Sequence, residues 1–136
     1  MILAVIGSRT YKNKKQVYEE IDKVREEYDI TGIVSGVSED DKNDTGPDTY
    51  GRDYALENVL EYIGHPAQWN DISEPCRLKY TRWGKPFNAL AGLNRNTFIA
   101  EDGEIGLAFW DGKSKGTKDT IDKMKALGKE VITILI

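Results

Sequence analysis

Ile2-Leu3-Ala4-Val5-Ile6-Gly7-Ser8-Arg9-Thr10 is the stretch on which the fold turns. Five apolar residues in a row predict a central parallel strand covered on both faces, because a strand with one wet face would alternate. The run is too short to span a membrane, which takes roughly 18 apolar residues. No basic segment precedes it and polar Ser8, Arg9 and Thr10 follow at once, so it reads as a buried strand and not as a signal peptide.

Working outward, Val17, Ile21, Val24 and Tyr28 recur at i, i+4, i+7 and i+11, one stripe of an amphipathic helix between Lys14 and Tyr28. A short strand is expected from Ile30 to Ser35. A second helix should run from Pro47 to about Asn58, with Pro in its first turn and Tyr50, Tyr54 and Ala55 on one face. Val59 to Ile63 is a weaker strand candidate, with Glu61 inside it. Further on, a helix is expected from Asn88 to about Ala100, a strand from Ile105 to Trp110, and a helix from Gly116 to Leu127 with Ile121, Met124 and Leu127 inward. Gly128 stands at the helix end and Glu130 to Ile136 forms a last strand. Strands alternating with helices predict an α/β fold, a single Rossmann-like domain with a mostly parallel sheet and helices on both faces.

Two segments interrupt this alternation. An acidic insertion near residues 37–47 carries Glu39, Asp40, Asp41 and Asp44, and a long surface excursion near residues 64–87 carries Pro66, Pro75, Pro86, Trp69 and Trp83. Long excursions are often binding loops or lids.

The 136 residues suit one domain, and a hydrophobic fraction of 39% with 31% charged residues is ordinary for a globular chain. A formal net charge of −4 speaks against a broad grip on nucleic acid, which needs a basic face. It leaves room for a small anion held by a few local donors. Cys76 is the single cysteine, so neither an internal disulfide nor a cysteine-based metal site can form, in keeping with a cytoplasmic protein. Asp41, Asn43, Thr45 and Gly46 fit the start of a calcium loop, but Arg52 stands where a bidentate Glu is required. No metal, cofactor or membrane partner is therefore expected.

In open α/β sheets ligands bind outside the carboxyl ends of the strands. Gly7, Ser8 and Arg9 offer a tight turn, a hydroxyl and a guanidinium that can fork onto phosphate; a plain turn with a solvated Arg is the alternative. Trp110-Asp111-Gly112-Lys113-Ser114-Lys115-Gly116-Thr117 joins a strand to a helix and is the strongest phosphate signal. Its glycines permit close approach, and the helix N-terminus supplies free amides. It is not a Walker loop, since Gly112 and Gly116 lie only four apart and Gly-Thr ends it. A flexible turn with Ser114 or Thr117 as helix cap is its simpler reading. The third loop holds Ser35 and Gly36, with Asp48 beyond the insertion as a helix-start carboxylate or a ligand contact. Arg95, within Asn94-Arg95-Asn96, either crosses to the same ligand or is solvated. His65 is the lone histidine and has no nucleophile beside it, which argues against a triad.

Gly7-Ser8-Arg9, Ser35-Gly36, Asn94-Arg95-Asn96 and Asp111 to Thr117, in that order, resemble the SLOG superfamily, which joins the DNA-processing protein DprA, the LOG phosphoribohydrolases and small YspA- and cpYpsA-related proteins. The chain is most similar to the YspA-like branch, with Tyr54-Ala55 and Pro66-Ala67-Gln68-Trp69 also matching. The resemblance implies a pocket walled by Gly7, Ser8, Arg9, Ser35, Gly36 and Asp48, with Arg95 reaching in and Gly112, Ser114, Gly116 and Thr117 as a phosphate cradle. It also implies a homo-oligomer. In the LOG branch a glutamate after the Gly-Thr assists cleavage of an N-glycosidic bond; here Thr120 takes that position, and Asp119 lies about 100° away around a helix. A nucleotide binder, acting as a sensor or by sequestration, is thus expected ahead of a nucleotide N-glycosidase, for which Asp48 and Asp111 are the candidate acids. A DprA-like DNA module comes third. Trp110 or Trp69 is expected within stacking reach of a base.

Overall fold

A computed structural model describes residues 1–42, 45–73 and 75–136. Asn43 and Asp44, from the acidic insertion and the calcium-loop reading, lie outside the described residues.

The first strand, β1 (Ile2–Gly7), occupies the centre of a five-stranded parallel sheet. Leu3, Ala4 and Val5 have no exposed surface, which is why every position of this strand is apolar. The remaining strands of the sheet are β2 (Gly32–Ser35), β3 (Glu61–Gly64), β6 (Ile105–Trp110) and β7 (Glu130–Leu135), in the order β3-β2-β1-β6-β7. Ala4 pairs with Val34 of β2 on one side and with Gly106 of β6 on the other.

Four helices cover the two faces among the described residues: α1 (Lys14–Glu27), α2 (Pro47–Glu57), α3 (Ala91–Asp102) and α4 (Lys115–Ala126). Val17, Ile21 and Val24 of α1 and Tyr50, Tyr54 and Ala55 of α2 pack with Leu3, Val5, Ile33, Leu107 and Phe109 in one core. Ile99 and Ala100 of α3 and Ile121 and Met124 of α4 pack on the opposite face with Ala4, Ile6, Val34 and Ala108. The result is the α/β, Rossmann-like architecture expected, a parallel sheet between two helical layers. No helix among the described residues is long and apolar enough to cross a membrane.

Three local expectations are corrected. Val59 does not begin β3: it takes a left-handed φ of 56° in the turn closing α2, is 92% exposed, and the strand starts at Glu61. Leu127 is 54% exposed. Each three-residue step turns a helix by about 300°, so Leu127 has rotated about 120° away from Ile121, and the chain then leaves the helix at Gly128 with φ 76°. The inward stripe of α4 is instead Thr117, Thr120, Ile121 and Met124.

The excursion after β3 contains a small antiparallel hairpin, β4 (Leu78–Tyr80) and β5 (Pro86–Asn88). Asn88 is therefore a strand residue, and α3 starts at Ala91. The Asn88 side chain is fully buried and ties the excursion together, accepting from the amides of Arg77 (3.3 Å) and Leu90 (2.9 Å) and donating to the carbonyls of Asp71 and Pro75 (both 3.2 Å). In the acidic insertion, the buried Arg52 guanidinium donates to the carbonyls of Ser38 (3.3 Å) and Asp41 (2.7 Å). A cation thus occupies the position where a calcium loop needs a carboxylate.

Candidate functional site

From β1 the chain winds one way through β2 to β3, then crosses back to β6 and β7 on the other side. The strand order reverses between β1 and β6, and at their carboxyl ends lies a cavity of about 170 Å³. This crevice is where doubly wound sheets hold ligands. Gly7, Ser8 and Arg9 after β1, Asp48 of α2, Arg95 of α3, and Ser114, Gly116 and Thr117 at the start of α4 line it. Residues from four separate loops and helices, singled out in the sequence, thereby share one wall-to-wall space.

Asp48 is the bracket of this site. As the second residue of α2 it reaches both strand ends, Oδ1 accepting from the Gly7 amide (3.1 Å) and Oδ2 from the Gly36 amide (2.9 Å). Desolvation by the surrounding protein pushes its pKa above the ordinary value, against the opposing pull of Arg95, the two amides and Arg9. Glycine is needed at both amides for steric reasons. A Cβ on Gly7 would stand 2.6 Å from Pro47 Cγ and 2.7 Å from the Phe109 carbonyl oxygen. One on Gly36 would stand 2.5 Å from Arg95 Nη1 and 2.6 Å from Asp48 Oδ2.

Arg95 is not a solvated surface cation. Its Nη1 donates to the Gly36 carbonyl (3.0 Å) and its Nε to Asn96 Oδ1 (3.0 Å), and desolvation lowers its pKa. Arg9 is exposed, and among the described residues its guanidinium makes no hydrogen bond or ion pair. Two cations therefore face the cavity, one oriented and one unengaged.

The α4 end supplies the third element. Ser114 is the N-cap, its Oγ accepting from the Thr117 amide at 3.5 Å, so the capping reading of this serine holds together with its place on the cavity wall. The first amides of any helix lack intrahelical acceptors. At Gly116 an added Cβ would meet nothing within 4 Å, which leaves the approach to those amides open.

Several sequence candidates sit behind the wall and not on it. Ser35 is fully buried, donating from Oγ to the Asp48 carbonyl (2.9 Å) and lying 2.7 Å from Tyr62 Oη. Gly112 is the turn residue of the loop, with φ 80°. The Trp110 indole donates to the Ser114 carbonyl (3.0 Å) and braces the loop from outside, while Trp69 is half exposed beside Gly92. Neither tryptophan lines the cavity. Asp111 accepts from the amides of Ser114 (2.7 Å) and Lys113 (2.8 Å), which hold its pKa below the usual carboxylate value, and it faces a different surface hollow beside Tyr11 and Leu135.

Sequence reading missed the roles of Asn96 and Thr120. Asn96 is 5% exposed and donates to the Gly116 carbonyl (3.2 Å) and to Asp119 Oδ2 (3.1 Å), fastening α3 to the first turn of α4. Thr120 donates to the same carbonyl (3.3 Å). The polar run Asn94-Arg95-Asn96 on an expected helix was the one available signal. Comparison of the chain with protein-family models, curated proteins and solved structures finds no match.

Proposed function

We propose that the protein binds a phosphorylated nucleotide or nucleotide-derived molecule, as a sensor or sequestering protein, with a phosphate seated between the ends of β1 and β6. The observation that carries this reading is the convergence at the switch point of the open α4 N-terminus with the guanidiniums of Arg9 and Arg95. Helix amides and forked guanidiniums are the two donor types that suit a phosphate. The reading agrees with the resemblance to the SLOG superfamily, whose YspA-like branch it would join.

Cleavage of an N-glycosidic bond has weaker support. A hydrolase needs a carboxylate available to activate water or to stabilise an electron-poor anomeric centre. Both Asp48 oxygens are committed to backbone amides, and Asp111 is committed to its own loop. Native mass spectrometry after incubation with nucleoside monophosphates, with released base followed by chromatography, tests the choice. Intact ligand retained on the protein supports binding. Free base released by the wild type and lost in Asp48→Asn would replace it with hydrolysis, and no retained ligand at millimolar nucleotide would remove both.

A further inference from the structure

A second cavity, of about 150 Å³, lies at the carboxyl end of β3, and Arg95 is the residue it shares with the phosphate cavity. The periodicity of α3 explains this. Ala91, Arg95 and Phe98 line the second cavity, while Asn96 and Ile99 face the first, so the guanidinium stands at the partition. Opposite α3, the segment leaving β3 supplies His65, Pro66 and Gln68. The His65 amide extends the sheet by donating to the Ser35 carbonyl (2.9 Å), and its ring hydrogen-bonds Asp102. That ring and Phe98 are 5.6 Å apart between centroids, tilted by 30°. Phe98 nonetheless stays 41% exposed, an ordered aromatic face left open to solvent.

We propose that this second cavity takes the heteroaromatic base of the same ligand, so that the site recognises a nucleoside monophosphate and not merely a sugar phosphate. The inference rests on the phosphate reading above. Pockets for small organic ligands begin at roughly 300 Å³. Neither cavity reaches that size alone, and a ligand that spans both past Arg95 would occupy a site of about that size. Flat side-chain surfaces are what a base stacks on, and a guanidinium plane serves as well as an aromatic ring. The open face of Phe98 supplies such a surface, backed by His65 and beside Arg95, and Gln68 offers an amide that can pair with a base edge.

Titration calorimetry with adenosine, guanosine, cytidine and uridine 5′-monophosphates and with ribose 5-phosphate tests the proposal. The wild type should bind at least one nucleotide roughly 5- to 150-fold more tightly than ribose 5-phosphate, the range expected for stacking one base. Phe98→Ala should erase most of that margin and leave ribose 5-phosphate affinity unchanged; Gln68→Ala, at an exposed position, should alter the ranking among bases. Thermal melts confirm that each variant folds. Equal affinity of wild type for nucleotides and ribose 5-phosphate, or a margin untouched by Phe98→Ala, overturns the base subsite while sparing the phosphate site. Binding of neither ligand overturns both.

Discussion

Gly116→Val separates ligand binding from folding more cleanly than any other change in this chain. Gly116 is the second residue of α4 and lines the cavity proposed to hold a phosphate, yet an added Cβ there has no neighbour within 4 Å. The fold therefore has little to lose. Glycine disfavours a helix by about 1 kcal/mol relative to alanine and valine by roughly 0.6, so stability should stay level or rise by a few tenths of a kcal/mol. The proposed ligand would have much to lose, because the two methyls would occupy the space from which a phosphate oxygen would reach the helix amides. Each charge-assisted hydrogen bond forfeited costs about 1.5–3 kcal/mol, or roughly 12- to 160-fold in affinity. Calorimetry with adenosine 5′-monophosphate, alongside urea unfolding of the unliganded protein, reads both quantities. Wild-type affinity in a stably folded Gly116→Val variant would show that no phosphate sits at this helix end.

Arg9→Ala should weaken nucleotide binding by about 1.5–3 kcal/mol while leaving the melting temperature of the free protein in place, since among the described residues the guanidinium makes no hydrogen bond or ion pair; a large drop in melting temperature would contradict this. Gly36→Ala should act in the opposite way, destabilising the protein by about 1–3 kcal/mol, because its Cβ collides with Arg95 Nη1 and Asp48 Oδ2; unchanged urea unfolding would refute the bracket geometry. Asp48 gives a pH dependence whose sign follows from its raised pKa. A carboxyl that is harder to ionise when folded adds stability below its unfolded value, near 3.8, and this contribution is lost as pH rises through the folded pKa. The stability of wild type minus that of Asp48→Asn should therefore fall as pH climbs upward from about 3.5, and a rise over that window would reverse the assignment.

The fold was legible wherever burial writes a period into the chain. Ile2 to Ile6 and Ile105 to Trp110 read directly as strands because both of their faces are covered. Val17, Ile21 and Val24 read as a helix because one face is covered. The β4–β5 hairpin was not legible. All three residues of β4 are exposed, so no apolar alternation marks it. Its order comes from the Thr81 turn, where Thr81 Oγ1 accepts from the amides of Trp83 (3.3 Å) and Lys85 (3.1 Å), and from the buried Asn88 at its base. Polar organisers of this kind leave no periodic trace. The same reason hid Thr117 and Thr120 in the inward stripe of α4, where two threonines stand in for apolar residues beside the cavity.

The candidate site was legible in its parts and not in its wiring. Glycines, a serine and an arginine after strands point to a ligand end of the sheet from chemistry alone, but no spacing rule links Asp48 to Gly7 and Gly36, 41 and 12 residues away. That wiring bears on which ligand fits. Arg9 and Arg95 bring two positive charges to the cavity, and Asp48 opposes them only in part, since burial disfavours its ionised form and its oxygens already face two amides. The α4 terminus adds a partial positive charge of roughly half a unit. The field left over is positive in a space of about 170 Å³ whose open donors are guanidinium and amide N–H groups. A cation would meet repulsion there, and a neutral sugar would gain little from the Arg9 charge. The proposed phosphate, a compact dianion, would balance the cations and offer acceptor oxygens to the donors that line the cavity.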